Sequence, residues 1–210
     1  MRTIVIISAA ILLTALPALA YHPATPYLGI SLQMNNPAGD FGKDRLAPDG
    51  YLYPGDGAAD AGGGVELDFG LANRHMNAYI GIRANKFDVH SPDGWEGKWT
   101  ANRFLIGVRG KLMSDRGSAV VPTIGGGLTL GKTGLEGAIP YDPIIERNSD
   151  MSFGWFVEGG INARLSDSAD LLANLQYHTF EADFHNGPFV DQFDISFVTL
   201  QIGVAVYLGE

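Results

Sequence analysis

Apolar and polar residues alternate one by one in many segments of this chain. In the C-terminal stretch SFVTLQIGVAVYLGE, residues from Thr199 to Tyr207 at odd positions are small or polar. The even positions carry aliphatic side chains: Val198, Leu200, Ile202, Val204, Val206 and Leu208. A period of two residues indicates a β-strand with two different faces. Which face points inward has to be decided from the rest of the chain.

The same alternation occurs in seven earlier segments, so the pattern predicts eight strands. They are PYLGISLQM, GGGVELDFGL, NAYIGIRANKF, NRFLIGVRGKL, VVPTIGGGLTL, FGWFVEGGINARL and LLANLQYHTF. Connections after the second, fourth and sixth are short, whereas the others are long and polar: residues 35–61, 88–101, 131–150 and 181–193. Short periplasmic turns that alternate with long extracellular loops are typical of outer-membrane barrels. We therefore predict an all-β fold: an eight-stranded antiparallel up-and-down transmembrane β-barrel, closed by pairing of the last strand with the segment beginning at Pro26.

Two features of the polar faces predict that lipid lies outside the barrel. They are rich in glycine, as the narrow interior of eight strands demands, and neighbouring strands carry charges of opposite sign that can pair in a closed lumen. The inverted alternative, with the aliphatic faces inside, is a soluble periplasmic carrier that resembles a lipocalin. The predicted polar network of the lumen is Glu66, Asp68, Arg83, Arg103, Arg109, Lys111, Glu158, Asn162 and Arg164.

Aromatic residues cluster where the predicted strands meet the long loops. At this position they are expected to form the interfacial girdle on the outer surface of a membrane barrel. The residues are Tyr27, Phe87, Trp95, Trp99, Phe104, Phe153, Trp155, Phe193 and Phe197.

The N-terminus MRTIVIISAAILLTALPALA has one Arg, an apolar run and small residues at Ala18 and Ala20. This pattern predicts a secretory signal peptide over residues 1–20, cleaved near Ala20, and a barrel domain over 21–210. The formal charge of −9 becomes −10 when Arg2 is removed, which argues against nucleic acid as a partner. The chain has no cysteine, so it contains no disulfide framework.

The signal peptide, the amphipathic strands and phrases such as VPTIGGGLTLG and LQIGVAVYLG resemble the small eight-stranded outer-membrane barrels. These include the OmpA transmembrane domain, OmpX and opacity-type surface proteins. The resemblance implies insertion by the barrel-assembly machinery and contact with outer-membrane lipid and lipopolysaccharide. Such barrels usually end on an aromatic residue, whereas this chain ends Leu208-Gly209-Glu210.

Three motifs could carry chemistry, and none is predicted to do so. Residues 126–133, GGLTLGKT, match the phosphate-loop pattern but continue a strand, whereas that motif needs a helix after the loop. His178, Glu181, Asp183 and His185 lack a recognised metal spacing, so neither a metal nor a cofactor is predicted. A lipid A deacylase of similar architecture carries His followed two residues later by Ser; here Phe180 stands at that position.

The sequence therefore predicts a non-enzymatic outer-membrane barrel with a structural or surface-recognition role. Long loops on a rigid scaffold are where recognition tends to reside. The candidate recognition residues for an extracellular ligand are Tyr51, Tyr53, Trp95 and Trp99. The alternative is a lipid-modifying enzyme, with His178 as its test residue.

Overall fold

The computed structural model describes residues 24–42, 58–90, 96–112, 118–138, 145–186 and 189–209. Within these residues the chain forms ten β-strands and one short 3₁₀ helix, Gly39–Gly42. The strands are β1 (Thr25–Ala38), β2 (Ala58–Ala59), β3 (Gly62–Ala72), β4 (Met76–His90), β5 (Glu96–Lys111), β6 (Val120–Ala138), β7 (Ile145–Asn148), β8 (Ser152–Ser166), β9 (Ala169–Asn186) and β10 (Phe189–Tyr207).

Eight of these strands form a closed antiparallel barrel, as the sequence predicts. Each long strand pairs with its neighbour along the chain, and β1 pairs with β10 from Tyr27↔Tyr207 to Ala38↔Ser196. The two short strands only extend the wall, because β2 pairs with the end of β4 and β7 pairs with the end of β6. Closure leaves the eight-stranded wall without the two free edges that an open sheet would expose.

The aliphatic faces point outward, which confirms the predicted orientation. Met34 is 71% exposed, for example, while its neighbours Gln33 and Asn35 are buried. We call the outward-facing apolar band the belt; it includes Leu28, Ile30, Leu32, Met34, Leu67, Phe69, Ile80, Ile82, Phe104, Ile106, Ile124, Phe153, Val157, Ile161, Leu175, Leu200 and Ile202. Such a band is stable only against lipid, so the lipocalin-like alternative is wrong.

Several strands are longer than the sequence indicates. Pairing between β4 and β5 continues to His90↔Glu96, and pairing between β9 and β10 continues to Phe189↔Asn186. Much of what was predicted as extracellular loop is therefore strand. The connection between β1 and β3 begins after Ala38 instead of at residue 35 and contains the 3₁₀ helix and β2.

Beyond the belt the two faces of the strands exchange character. On β4 the outward residues Ile80 and Ile82 are followed on the same face by Lys86 and Asp88, while Phe87 between them is buried inside. We call the strand ends beyond the belt the head. The head is thus polar outside and apolar inside, as in a water-soluble barrel, whereas the membrane part is the reverse.

This exchange corrects the predicted aromatic girdle. Phe104 and Phe153 are exposed on the outer surface as expected. Phe87, Trp99 and Phe197 instead lie inside the head, and Phe193 packs against its apolar interior. Tyr27 is also buried inside the barrel, but at the opposite end, beside Tyr207, where the exchange plays no part.

The phosphate-loop match lies in the middle of β6. Residues 126–131 pair with both β5 and β8 as regular strand. The strand continues from the match to Ala138, whereas a phosphate loop is followed by a helix.

Among the described residues, no helix is long and apolar enough to cross a membrane.

Candidate functional site: the barrel lumen

Glu158 and Arg109 form an ion pair in the half of the lumen nearer the short turns. Arg109 Nε donates to Glu158 Oε1 at 3.0 Å, and Arg109 Nη2 donates to Oε2 at 2.9 Å. Tyr79 Oη also donates to Glu158 Oε1, at 2.9 Å, and its ring lies 5.2 Å from the Arg109 guanidinium carbon. The bidentate geometry and the third donor compensate for burying both charges away from water.

Arg83 and Glu66 form a second ion pair, nearer the head. Arg83 Nε donates to Glu66 Oε2 at 2.7 Å, and Arg83 Nη2 makes a further, shorter contact with the same oxygen. Gln33 Nε2 donates to Glu66 Oε2 at 2.9 Å. This pair therefore connects β1, β3 and β4 on one side of the lumen.

Gln176 joins the two ion pairs across the lumen. Its Oε1 accepts from Arg83 Nη2 at 2.7 Å, and its Nε2 donates to Glu158 Oε2 at 2.9 Å. Gln176 Nε2 also donates to Gln201 Oε1 at 2.8 Å. A primary amide can do this because it carries both an acceptor and two donors.

His178 completes this junction. Arg83 Nη1 contacts both ring nitrogens, with Nδ1 at 3.0 Å, and Nε2 lies 3.0 Å from Gln176 Oε1. Phe156 and Phe197 stack on the two sides of the ring, with centroids 5.4 and 4.9 Å away. His178 is therefore held in one orientation at the boundary between the polar network and the apolar interior of the head.

Arg103 and Asp68 are the two buried charges outside these ion pairs. Arg103 donates to Thr129 Oγ1 at 3.0 Å and to the Ser152 carbonyl at 2.7 Å, and its guanidinium carbon lies 3.7 Å from the Phe180 ring centroid. Asp68 accepts from Tyr27 Oη at 3.4 Å. The described residues of the lumen thus include three buried arginines and three buried acids.

Six of the predicted network residues are brought together: Glu66, Asp68, Arg83, Arg103, Arg109 and Glu158. Asn162 is buried, but it makes no side-chain hydrogen bond to the described residues. Lys111 lies at the end of the barrel, where its Nζ donates to the Asn73 carbonyl at 2.9 Å. It anchors the turn between β3 and β4 rather than joining the network.

The prediction for Arg164 is wrong. Its side chain is exposed at the end of β8, where the pairing with β9 has an irregularity between Arg164 and Ser166. Arg164 still pairs in register with Asp170, so it keeps its face, but it lies at the open end of the barrel near the short turns, where its side chain reaches solvent.

Sequence reasoning missed the neutral members of the network. Tyr79, Gln176, Gln33 and Gln201 supply the hydrogen bonds that connect the charges. All four lie on the polar faces of their strands, and this position is the sequence feature that could have identified them. The charged residues are easier to predict, because burying an unpaired charge costs far more free energy than burying an amide.

A cluster of apolar side chains fills the interior of the head, directly beyond His178. We call it the cap cluster. Its aromatic rings contact one another edge to face, including Phe41 with Phe87 at 5.2 Å and Trp99 with Phe184 at 5.5 Å between centroids. The buried members are Phe41, Ala59, Phe87, Val89, Trp99, Ala101, Leu135, Phe180, Ala182, Phe184, Ile195 and Phe197.

The cap cluster corrects the prediction that Trp99 is a recognition residue in a loop. Trp99 lies on β5, is 2% exposed and contacts Phe41, Phe184 and Phe193. Tyr51, Tyr53 and Trp95 lie outside the described residues.

The His178 side chain points into the lumen and is 2% exposed, so it does not reach the outer wall of the barrel. Among the described residues, no group of three His, Cys, Asp or Glu side chains is placed to hold a metal ion.

The lumen and the belt together define a small, closed membrane barrel. The chain belongs to the outer membrane protein beta-barrel domain family, whose model matches residues 6–207. This membership places the protein in the bacterial outer membrane, in a lipid environment. No curated protein matches the sequence.

Solved structures share the fold at low sequence identity. Neisserial surface protein A is 13% identical, covers 89% of this chain and 99% of its own, and has a TM-score of 0.57. OprG from Pseudomonas aeruginosa is 16% identical, with 90% and 98% covered and a TM-score of 0.59. Ail of Yersinia pestis, solved in complex with the heparin analogue sucrose octasulfate, is 11% identical, with 88% and 99% covered and a TM-score of 0.51.

Proposed function

We propose that this protein is a non-enzymatic outer-membrane barrel with a closed lumen, which holds a rigid head outside the membrane for surface recognition. The observation that carries the proposal is the exchange of faces beyond the belt. Polar residues such as Lys86 and Asp88 cover the outside of the head, and buried residues such as Phe87 and Trp99 fill it. A packed apolar interior makes the head a stable platform instead of a set of independent loops.

Closure of the lumen supports a role other than passive diffusion. The interior of an eight-stranded barrel is just wide enough to be filled by side chains. Here the paired charges of Arg109 and Glu158 fill one part, and the cap cluster fills the next. A solute would have to break both layers to cross.

The connection between β1 and β3, which carries Tyr51 and Tyr53, is attached to the head at both of its ends. Phe41 precedes this connection and Ala59 follows it, and both are buried in the cap cluster. Tyr51, Tyr53 and Trp95 are therefore proposed as recognition residues carried by a fixed base, while Trp99 belongs to that base.

The charge of the head indicates what kind of ligand to expect. Ail carries a polyanionic ligand in its solved complex. The present chain has a formal charge of −9, and Glu181, Asp183 and Asp194 lie together on the outward face of β9 and β10. Like charges repel a sulfated ligand on this side, so we expect a neutral or basic partner there.

The proposal is tested with the folded barrel in nanodiscs and an array of immobilised glycans and extracellular peptides of graded charge. Residues 44–56 are replaced by a short Gly-Ser linker, which leaves Phe41 and Ala59 in place. We expect both proteins to be folded, with the heat-modifiable mobility of a barrel in SDS gels, and only the full chain to bind. Equal binding by the two proteins would reject recognition through this connection, and loss of folding would make the connection structural.

Export and membrane insertion of the chain are two further parts of the proposed function. Residues 1–20 are proposed as a signal peptide, which N-terminal sequencing of the protein from outer membranes tests directly. Insertion is proposed to require the barrel-assembly machinery, so depletion of that machinery should leave the protein protease-sensitive in the periplasm.

A further inference from the structure

The outer wall carries a groove at the edge of the belt, on the strands β3, β4 and β5. It has a volume of about 250 Å³ and is lined mainly by apolar residues, together with Asn102 and the two arginines Arg83 and Arg103, which are buried on the lumen side. Val65, Ala84 and Asn102 lie side by side across the three strands. The alanine methyl group leaves a depression between larger neighbours, such as Ile82 and Phe104 in the next row toward the membrane centre.

One lysine lies directly beyond the groove, and a second lies beside it in the same row. Lys86 follows Ala84 on the same outward face of β4, and Lys132 is paired with Asn102 across β5 and β6. Both side chains are exposed, and neither makes an ion pair within the described part of the chain. Their strands are separated by one strand, so the two cations lie on the order of 10 Å apart across the sheet.

The third outward lysine of this wall differs from these two. Lys98 is paired in register with Asp88 on one side and Glu136 on the other, so its charge is compensated locally. Lys86 instead lies beside Thr100 and Gly63. Of the three outward lysines described on this wall, Lys86 and Lys132 are therefore the two without an acidic residue directly opposite them in the strand pairing.

The opposite wall has the reverse charge. On β9 and β10, Glu181 and Asp194 are directly opposed across the strands, and Asp183 lies two residues further along. An anionic headgroup would be repelled there and attracted to Lys86 and Lys132.

From this geometry we propose a specific lipid A site on the outer wall. An acyl chain lies in the groove over Ala84, and the phosphates of the glucosamine headgroup contact Lys86 and Lys132, with Asn102 as a hydrogen-bonding partner at the boundary. Lipid A satisfies both halves of the site, because its several acyl chains and two phosphates are joined in one molecule of the outer leaflet. The site depends on the orientation of the barrel in the membrane and is independent of recognition by the head.

The test measures retention of purified lipid A by the full barrel in a neutral detergent, using native mass spectrometry. The double variant Lys86→Gln/Lys132→Gln should lower lipid A affinity about 10- to 30-fold, since each lysine near a charged lipid surface contributes a few-fold to tenfold. Ala84→Phe fills the groove and should lower affinity without a change in charge. Lys98→Gln removes a compensated lysine and is the matched control, with less than a twofold effect expected.

Two other probes determine which part of the lipid is bound. Lipid A without phosphates should lose affinity for the wild type and be insensitive to the lysine substitutions. Phosphatidylglycerol should bind weakly; binding equal to that of lipid A would overturn the assignment in favour of a general anionic surface. The assignment is equally overturned if Lys98→Gln matches the double variant while all variants keep the heat-modifiable mobility of the folded barrel.

Discussion

At the scale of single residues, Glu158 connects one half of the polar network. It accepts hydrogen bonds from Arg109, Tyr79 and Gln176, which come from three different strands. A buried carboxylate of this kind is not itself a source of large net stability. Its removal, however, leaves a buried guanidinium and two further donors without their acceptor.

Glu158→Ala is therefore expected to lower the free energy of unfolding by about 3–5 kcal/mol, the usual cost of breaking one side of a buried pair. Urea unfolding of the refolded barrel in detergent measures this. Arg109→Met combined with Glu158→Leu should recover most of the loss, because no uncompensated charge remains. A double variant as unstable as Glu158→Ala alone would contradict this account.

Arg164→Ala is a second prediction at this scale. Because the side chain is exposed at the end of β8, we expect a change in unfolding free energy within about 0.5 kcal/mol. A loss of unfolding free energy as large as that of Glu158→Ala would show that Arg164 does belong to the lumen network.

The charged residues of the lumen could largely be predicted from alternation, since burial of a charge on a polar face demands a partner. The connecting amides and the exposure of Arg164 could not. Gln176 has the same periodic position as many neutral residues, and the exposure of Arg164 depends on its place at the open end of the barrel, which alternation does not reveal.

At the scale of single strands, the exchange of faces is the feature that sequence analysis missed. In ANKFDVH the polar residues Lys86 and Asp88 occupy the positions that are aliphatic earlier in β4, and Phe87 and Val89 occupy the polar ones. The signal is therefore present in the sequence. Alternation identifies two faces, but it does not say at which residue the outer medium changes from lipid to water.

The exchange predicts different environments for Trp99 and Trp155. In a Trp95→Phe/Trp155→Phe background, fluorescence of Trp99 should be shielded from both iodide and brominated lipid, because the ring is buried in the cap cluster. In the matched Trp95→Phe/Trp99→Phe background, Trp155 should be quenched by brominated lipid, since it lies on the outward face of β8 beside Tyr177. Efficient quenching of Trp99 by brominated lipid would reject the exchange.

The cap cluster should also contribute measurably to stability. Phe197→Ala removes a ring that packs against Phe87, Phe180 and His178, and an unfilled cavity of this kind costs about 3–5 kcal/mol. Val198→Ala, one residue further on the outward face, is the control and should cost much less. Unfolding in urea compares the two; equal losses would show that the cluster is loosely packed.

At the scale of the whole molecule, two barriers lie in series along the barrel axis. The polar network blocks the membrane part, and the cap cluster blocks the head. The eight-stranded closure was predictable from the strand count and from the alternation of turns. The second barrier was not, since it depends on the exchange of faces.

Because two layers of side chains fill the barrel in series, we expect that removing either layer alone does not let ions through. The wild type should show no stepwise conductance in a planar bilayer, and neither Arg109→Ser/Glu158→Ser nor Phe87→Ser/Phe197→Ser should open it alone. All four substitutions together should produce a small conductance, limited by the narrow eight-stranded interior. Conductance from either pair alone would mean that the other layer is not a barrier.

The exchange of faces also determines how deep the barrel lies in the bilayer. If the barrel moved toward the periplasm, Lys86 and Lys132 would enter the hydrocarbon of the bilayer. If it moved outward, Met34 and Phe153 would be exposed to water. The protein thus has one favourable vertical position, and each long strand is hydrogen-bonded to both neighbours in the closed wall, so no strand can tilt independently of the others. In a bilayer of another thickness the lipid must adjust to the protein, by thinning or thickening around it, and the barrel would be drawn toward regions whose hydrocarbon thickness already matches its own.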